Sequence, residues 1–312
     1  MSGRLLALCA GMAAACALAV PAATAQVAAE IVFSTPRGVF GVDADGSGLH
    51  RIAARPAVDQ HADPAWSPGG DRLAFTFCIS DECGIEIFSA ATGTRRMLTL
   101  RERYPRLSRR VFAHRGGPTW APGGMALAYR DEWAIGRSLL QVVSLESGNV
   151  RPLTRPRDDR WDGAPAWSPD GRTVAFVRRH VRVRPGGNAV QGPPAIYLVG
   201  RDGGRARRLT SGDSPSWSPD GRRLVLAWGN GIYRIDADGG SRTRIARVAG
   251  TRGSGLEPRF APDGRSLLFR KREPRGASIW TIDANGRNRR HILSLRGEAL
   301  ELAVSGVGWR PR

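Results

Sequence analysis

Six short segments of this 312-residue chain are near copies of one another, and this repetition constrains the fold more than any other feature. In each segment an aromatic residue is followed two positions later by proline. The segments are 64–70, 118–124, 165–171, 215–221, 258–264 and 307–311. Their aromatic residues are separated by 54, 47, 50, 43 and 49 residues. A self-similar unit of about 45 residues is typical of repeat arrays, and of β-propellers in particular.

The unit from Pro165 to Thr210 shows how one repeat is built. The segment Ala166-Trp167-Ser168 predicts a short inner strand. The sequence Ser168-Pro169-Asp170-Gly171 predicts a tight turn, because proline presets φ and glycine supplies the left-handed conformation. Alternating segments at 173–177 and 195–199 predict the second and third strands, and 207–210 predicts the outer strand. Four antiparallel strands per unit make one propeller blade.

The two ends of the chain complement each other. The stretch from Ile31 to Ile52 supplies strands two to four of a blade, and the segment around Trp309 supplies an inner strand with nothing after it. Pairing them would close the ring and remove exposed sheet edges. The sequence therefore predicts an all-β fold, a six-bladed β-propeller of four-stranded antiparallel blades. The repeated aromatic residues are then core between blades, and the Pro-Asp-Gly segments are turns.

These repeats resemble those of the TolB-type β-propeller family, a bacterial family with WD40-like repeats, over about residues 31–311. The resemblance implies that the loops entering each inner strand, and those joining strands two and three, lie on one face around the channel mouth. Members of this family carry a separate α/β domain before the propeller. Because the first predicted strand begins at Ile31, we expect that domain to be missing, so a role in a Tol–Pal envelope system is not expected from the resemblance.

Residues 1–25 have the organisation of a secretory signal peptide. Arg4 precedes an apolar stretch from Leu5 to Val20, and Ala23-Thr24-Ala25 is a small-x-small cleavage sequence. The stretch is too short to span a membrane comfortably, and no later apolar run is longer. We therefore expect cleavage near Ala25, a periplasmic or extracellular location, and a single propeller domain over residues 26–312.

Two cysteines, Cys78 and Cys83, remain in the expected mature chain. They flank the predicted loop between the second and third strands of the first full blade. An oxidising compartment favours a disulfide between them. A redox or metal role is not favoured, because the spacing is not Cys-x-x-Cys and the sequence holds no second ligand pair.

The formal net charge is +19, and Lys271 is the single lysine among 47 basic residues. This arginine bias reflects a GC-rich genome more than a binding site. A positive field attracts anionic partners. For an exported protein, anionic envelope polymers or lipid head groups suit the compartment better than nucleic acid.

The face around the channel mouth holds the candidate binding residues. Two long predicted loops, 101–117 and 177–194, lie there, and loops of this length are often functional, although their arginines could also be solvated charge. The candidate arginines in them are Arg109, Arg110, Arg178 and Arg179. Three tryptophans outside the repeat position could bind a sugar or peptide, or could cap blade edges. These tryptophans are Trp133, Trp161 and Trp228.

Acidic residues precede several inner strands and should converge on the same mouth, where they could hold a cation or a basic group. They are Asp63, Asp162, Asp213 and Glu257. The sequence has no compact Asp-rich calcium loop, so we predict no metal site from these acids. His61 and His114 precede the aromatic residues of adjacent blades by five and six positions. They could be metal ligands or incidental loop residues.

The sequence has no Gly-x-Ser-x-Gly elbow, His-Glu-x-x-His motif or Walker-type loop. We therefore predict an exported, monomeric, non-enzymatic scaffold that uses no cofactor. It would bind an envelope protein, peptide or glycan through its loop-rich face. The alternative is a carbohydrate-active enzyme, such as a propeller-type lyase that uses channel histidines and acids. A third possibility is a purely structural envelope protein.

Overall fold

A computed structural model of the chain describes eleven segments of it. These are residues 31–35, 37–53, 60–79, 82–98, 114–134, 137–155, 159–184, 189–250, 255–274, 276–296 and 305–311. The expected signal peptide, residues 1–25, lies outside them, and so do Arg109 and Arg110. Among the described residues, no helix is long and apolar enough to cross a membrane.

The described strands form six antiparallel sheets, which we call blades A to F, as the repeats predict. The strands of blade A are β25 (Ser305–Trp309), β1 (Ile31–Thr35), β2 (Gly38–Val42) and β3 (His50–Ala53). Those of blade B are β4 (Gln60–Trp66), β5 (Arg72–Ile79), β6 (Glu82–Ser89) and β7 (Arg95–Met97). Those of blade C are β8 (His114–Trp120), β9 (Ala126–Ala134), β10 (Arg137–Ser144) and β11 (Val150–Pro152).

The second half of the ring repeats this order, from inner to outer strand. The strands of blade D are β12 (Arg160–Trp167), β13 (Thr173–Val183), β15 (Ala195–Gly200) and β16 (Arg207–Ser211), with β14 (Ala189–Gln191) paired to β13. Those of blade E are β17 (Asp213–Trp217), β18 (Arg223–Trp228), β19 (Gly231–Asp236) and β20 (Thr243–Arg247). Those of blade F are β21 (Arg259–Phe260), β22 (Ser266–Glu273), β23 (Gly276–Asp283) and β24 (Arg290–Arg296).

The ring closes through the two ends of the chain, which confirms the predicted pairing. In blade A, Ile31 lies opposite Trp309 and Phe33 lies opposite Val307. The inner strands β25, β4, β8, β12, β17 and β21 contact one another in turn around the ring, and β21 contacts β25. Blade A is therefore held to its neighbours on both sides although its strands come from opposite ends of the sequence.

Apolar side chains fill the spaces between blades, because each sheet buries both faces against its neighbours. Phe176 and Val199 of blade D pack against Leu140 of blade C, for example. The repeated tryptophans belong to this core: the indole Nε1 of Trp120 donates to the carbonyl of Ala65 in the preceding blade at 2.9 Å. The expected core role of the repeated aromatic residues is thereby confirmed at this position.

The Pro-Asp-Gly segments form the turns between first and second strands, at the end of the ring that we call the turn face. In blade D the Ser168 hydroxyl donates to Asp170 at 2.5 Å, and the Asp170 carboxylate also accepts from the backbone of Arg172 at 3.0 Å. Gly171 has φ +68°, and a Cβ there would lie 3.6 Å from the Pro122 ring of blade C. The turn chemistry therefore also packs one blade on the next.

The opposite end of the ring, where the inner strands begin, we call the mouth face. Here the structure corrects one expectation: most of 177–194 was predicted to be a loop. Strand β13 instead continues to Val183, and Arg182 pairs with Val190 of β14. Alternation of basic and apolar residues over 180–183 suits a strand whose two faces have different neighbours. The extension projects from blade D at the mouth face.

Cys78 and Cys83 form the predicted disulfide at the mouth face of blade B. Their Cα atoms lie 4.0 Å apart, directly opposite each other in β5 and β6. The bond therefore joins the two strands where their hairpin turns. A closed loop of this kind restricts the unfolded chain more than the folded one.

Candidate ligand-binding site at the mouth face

The inner strands share an unusual backbone feature near the mouth face. The residue before the proline that opens the repeated segment has a positive φ in four successive blades. The φ values are 51° at Asp63, 64° at Gly117, 48° at Ala164 and 52° at Ser214. The strand register shifts at the same place in each of these blades. Left-handed backbone at a residue other than glycine costs of order 1–3 kcal/mol. A bulge of this kind re-aims the side chains that precede it.

The most buried charged pair of the site lies in blade D. Arg178 Nε and Nη2 donate to the two carboxylate oxygens of Asp162, each at 2.7 Å. The Ser138 hydroxyl of blade C donates to the Asp162 carbonyl at 2.6 Å and accepts from the Asp162 backbone N–H at 3.0 Å. Burial opposes the charge of Arg178, but the hydrogen bonds and negative charge of Asp162 outweigh it and raise the Arg178 pKa.

A second arrangement crosses three blades. Arg179 of blade D donates to Asp213 of blade E, and the Asp213 carboxylate also accepts from the Ser214 backbone at 2.8 Å. The Arg179 guanidinium lies 5.8 Å from the ring centre of Trp161, and that of Arg130 from blade C lies 5.5 Å from it. The Trp161 ring is therefore a contact surface for two arginines of the same chain.

Blade F contributes the third acid and its partner. Arg270 Nη2 donates to Glu257 at 2.5 Å, and both side chains are largely buried. Three of the four predicted acids thus hold an arginine of this chain.

Asp63 differs from the other three acids. Burial raises its pKa, and the nearby negative charge of Glu257 raises it further, while Arg130, Arg259 and Arg270 act in the opposite direction. Within the described part of the chain, the Asp63 carboxylate has no hydrogen-bond or ion-pair partner. A Cβ on Gly117 of blade C would lie 3.9 Å from Asp63 Oδ2, which places this carboxylate beside the start of the neighbouring inner strand.

The remaining predicted residues have different outcomes. Trp228 is partly buried against the core between blades D and E, and the Arg242 guanidinium lies 6.0 Å from the centre of its ring. The side chains of Trp133, His61 and His114 lie outside the described residues. Among the described residues, no group of three or more His, Cys, Asp or Glu side chains is placed to hold a metal ion.

Two arginines that enter the site from second strands, Arg130 and Arg270, are not among the residues predicted from the sequence. They occupy equivalent positions, each directly after a buried aromatic residue, Tyr129 in blade C and Phe269 in blade F. A charged residue that immediately follows a buried β-run in more than one repeat is the signal that could have found them.

Comparison with known proteins identifies related propellers. The family model described as TolB beta propeller domain matches residues 39–307. The Tol-Pal system protein TolB of Bordetella pertussis is 30% identical over 158 residues, which is 47% of this chain and 32% of that protein. The uncharacterized peptidase YuxL of Bacillus subtilis is 33% identical over 98 residues, 30% of this chain and 13% of that protein. The chain therefore aligns with a third or less of these relatives' lengths.

Solved structures show the same fold. The crystal structure of TolB from Acinetobacter baumannii matches with a TM-score of 0.66 at 20% identity, over 92% of this chain and 68% of that one. An oligogalacturonate lyase in complex with manganese matches with a TM-score of 0.54 at 16% identity, over 86% of this chain and 74% of that one. At these identities the likeness is one of fold.

Proposed function

We propose that this chain, which belongs to the TolB beta propeller domain family, is an exported, non-enzymatic scaffold that binds a protein or peptide partner of the cell envelope at its mouth face. Its relatives named Tol-Pal system protein TolB support a binding role in an envelope assembly. Because the alignment spans only 32% of such a relative, the partner here is not carried over from it. Export with cleavage near Ala25 is part of the proposal.

The observation that carries this proposal is the Asp63 carboxylate, which has no hydrogen-bond or ion-pair partner among the described residues. The neighbouring acids at the mouth face already hold arginines, whereas Asp63 is half-buried and has no such partner among the described residues. A carboxylate that is shielded from water and lacks a partner is unfavourable, and a cation brought by a ligand would remove that cost. A lysine or arginine side chain, or an amino terminus, has the required charge and donors.

The surroundings of Asp63 favour a peptide over a sugar. Sugar binding commonly uses an exposed aromatic face, but Arg130 and Arg179 cover Trp161 and Arg242 covers Trp228. The paired arginines and acids instead present a fixed pattern of charge, which gives specificity toward a partner with complementary charges.

The closed ring suits such a role because it holds the site rigidly. The strained backbone at Asp63 is maintained by the pairing of β4 with β5 on either side of the bulge. Side chains held this way lose little conformational entropy on binding, so more of the interaction energy appears as affinity.

Capture from an envelope extract tests the proposal. Asp63→Asn removes the charge and preserves the shape, and Asp220→Asn makes the same change in an exposed turn at the turn face. We expect the wild-type protein and Asp220→Asn to retain the same partner at low salt, and Asp63→Asn to lose most of it. Equal recovery by both variants would refute the placement at Asp63.

A further inference from the structure

The outer edges of blades D, E and F carry an unusual concentration of positive charge. The segments 205–211, 241–247 and 287–295 contain no acidic residue. We call them the D–F wall. Its arginines are Arg205, Arg207, Arg208, Arg242, Arg244, Arg247, Arg287, Arg289 and Arg290. All are exposed except Arg242, which is half-buried.

None of these arginines forms an ion pair within the described part of the chain, in contrast to Arg178, Arg179 and Arg270 at the mouth face. Several carboxylates of blades D to F have other partners. Asp202 contacts Arg151 and Arg201, while Asp236 contacts Arg223 and Asp283 accepts from Asn288. The wall is therefore not an internal ion-pair network.

Two of the guanidinium groups are held in place by equivalent aromatic residues. The Arg242 guanidinium lies 4.6 Å from the ring centre of Tyr233, and its Nη1 donates to the Thr210 hydroxyl at 2.9 Å. The Arg289 guanidinium lies 4.5 Å from the ring centre of Trp280. In sequence, Arg289 stands two residues before the residue that pairs with Trp280 in the sheet. Both contacts restrict a flexible side chain before any ligand arrives, which lowers the entropic cost of binding.

We propose that the D–F wall binds a linear acidic polysaccharide, separately from the partner at the mouth face. Each of the three segments contains two arginines two residues apart, Arg205 and Arg207, Arg242 and Arg244, and Arg287 and Arg289, so each blade offers a short row of cations to an extended polymer. The planar guanidinium fork matches a carboxylate and binds it with two hydrogen bonds. Three neighbouring blades place such rows side by side on a convex surface that a flexible chain can follow.

Two other polyanionic surfaces fit the wall less well. Binding in a bilayer interface uses exposed apolar side chains, and the exposed large apolar residues of the described chain, Leu49, Met97, Met125 and Val190, lie outside the wall. Single-stranded nucleic acid stacks its bases on open aromatic faces. On the D–F wall, arginines of the same chain already cover Tyr233 and Trp280.

Titration with polygalacturonate, a linear polymer of carboxylated sugars, tests this proposal by calorimetry at low and physiological salt. The test variant is Arg205→Gln/Arg244→Gln/Arg290→Gln, with one change in each blade of the wall. The control is Arg51→Gln/Arg96→Gln/Arg172→Gln, which removes the same charge from exposed positions elsewhere. Unchanged circular dichroism and melting temperature establish that each variant folds.

We expect the test variant to weaken polygalacturonate binding at least tenfold at low salt and to show a smaller salt dependence, because exposed charges are screened as salt rises. The control should change binding less than threefold, and Asp63→Asn should leave it unchanged. Equal weakening by both triple variants would overturn the proposal, since net charge alone would then explain binding. Tighter binding of anionic lipid vesicles or single-stranded DNA than of polygalacturonate would overturn it as well.

Discussion

Arg178 and Asp162 form a bidentate ion pair in blade D, with both donor–acceptor distances at 2.7 Å. Removing the carboxylate would leave a buried guanidinium without its partner, so we expect Asp162→Ala to lower the free energy of unfolding by about 3–5 kcal/mol. Urea denaturation measures this. The control is Asp202→Ala, because that exposed carboxylate contacts Arg201 at 3.6 Å and such pairs contribute about 1 kcal/mol or less. An equally small decrease in the free energy of unfolding in both variants would contradict a structural role for Asp162.

Asp63 should destabilise the folded protein at neutral pH. Burial raises its pKa, so the folded state binds the proton more tightly than the unfolded state does. Stability should therefore fall as the pH rises from about 4, the ordinary value of an aspartate, through the folded-state pKa. Asp63→Asn should unfold at a higher urea concentration than wild type at pH 7, and the gain should disappear in acid.

Asp220→Asn is a control variant whose stability at pH 7 should change in the opposite direction. The Ser218 hydroxyl and the Arg222 backbone lower the Asp220 pKa, so its contribution to stability is present above the ordinary pKa and is lost as the pH falls. This variant should be slightly less stable than wild type at pH 7. A loss of stability at pH 7 in Asp63→Asn would show that its carboxylate has a stabilising partner.

Deletion of residues 305–312 should open the ring. It removes β25 and exposes the edge of β1, and it takes Val307 away from its position opposite Phe33. We expect a loss of at least about 3 kcal/mol in the free energy of unfolding, together with association through the exposed edge. Urea denaturation and sedimentation measure the two effects.

Arg310→Ala is the matched control, because it keeps β25 and removes the contact of the Arg310 guanidinium with the Trp66 ring, at 4.9 Å, and its hydrogen bond to the Gly70 carbonyl. Arg310→Ala should lower the free energy of unfolding by about 1 kcal/mol. A truncated chain as stable and as monomeric as the full one would disprove closure by the two ends.

The disulfide should stabilise the folded chain modestly because it closes a short loop. Cys78→Ser/Cys83→Ser should lower the free energy of unfolding by about 2 kcal/mol under the chain-entropy relation. In protein recovered after export, thiol titration under denaturing conditions should detect no free thiol before reduction and two afterwards. Detection of two thiols before reduction would mean that the bond does not form.

The ring of six blades is predictable from sequence because its determinants are local and repeated. Each turn, such as the one from Ser168 to Gly171, specifies its own geometry through proline, aspartate and glycine. A wrong strand or turn assignment in one repeat does not change the predicted number of blades, because the other repeats show the same pattern. The pairing of Ile31 with Trp309 follows from the same repetition, since one end lacks the strand that the other supplies.

The sequence predicts that the site residues lie at the mouth face, but not which of them pair with one another. Placing Asp162 and Asp213 at the mouth face requires only the repeat, but Arg178 and Arg179 are adjacent in sequence and pair with acids in different blades. Which arginine faces which blade depends on the strand alternation of β13, and most of that segment was predicted to be a loop. The repeat alone also does not distinguish Asp63 from the acids that have partners, because each partner arginine lies on a second strand.

Site-specific photo-crosslinking in an envelope extract tests the binding proposal most directly. A photoreactive residue in place of Asp159, exposed beside the start of β12, lies at the mouth face, and one in place of Arg222 lies at the turn face. We expect one predominant protein adduct from position 159, its loss when Asp63→Asn is added, and none at position 222. The same adduct from position 222, or an adduct at 159 that persists in Asp63→Asn, would contradict the account.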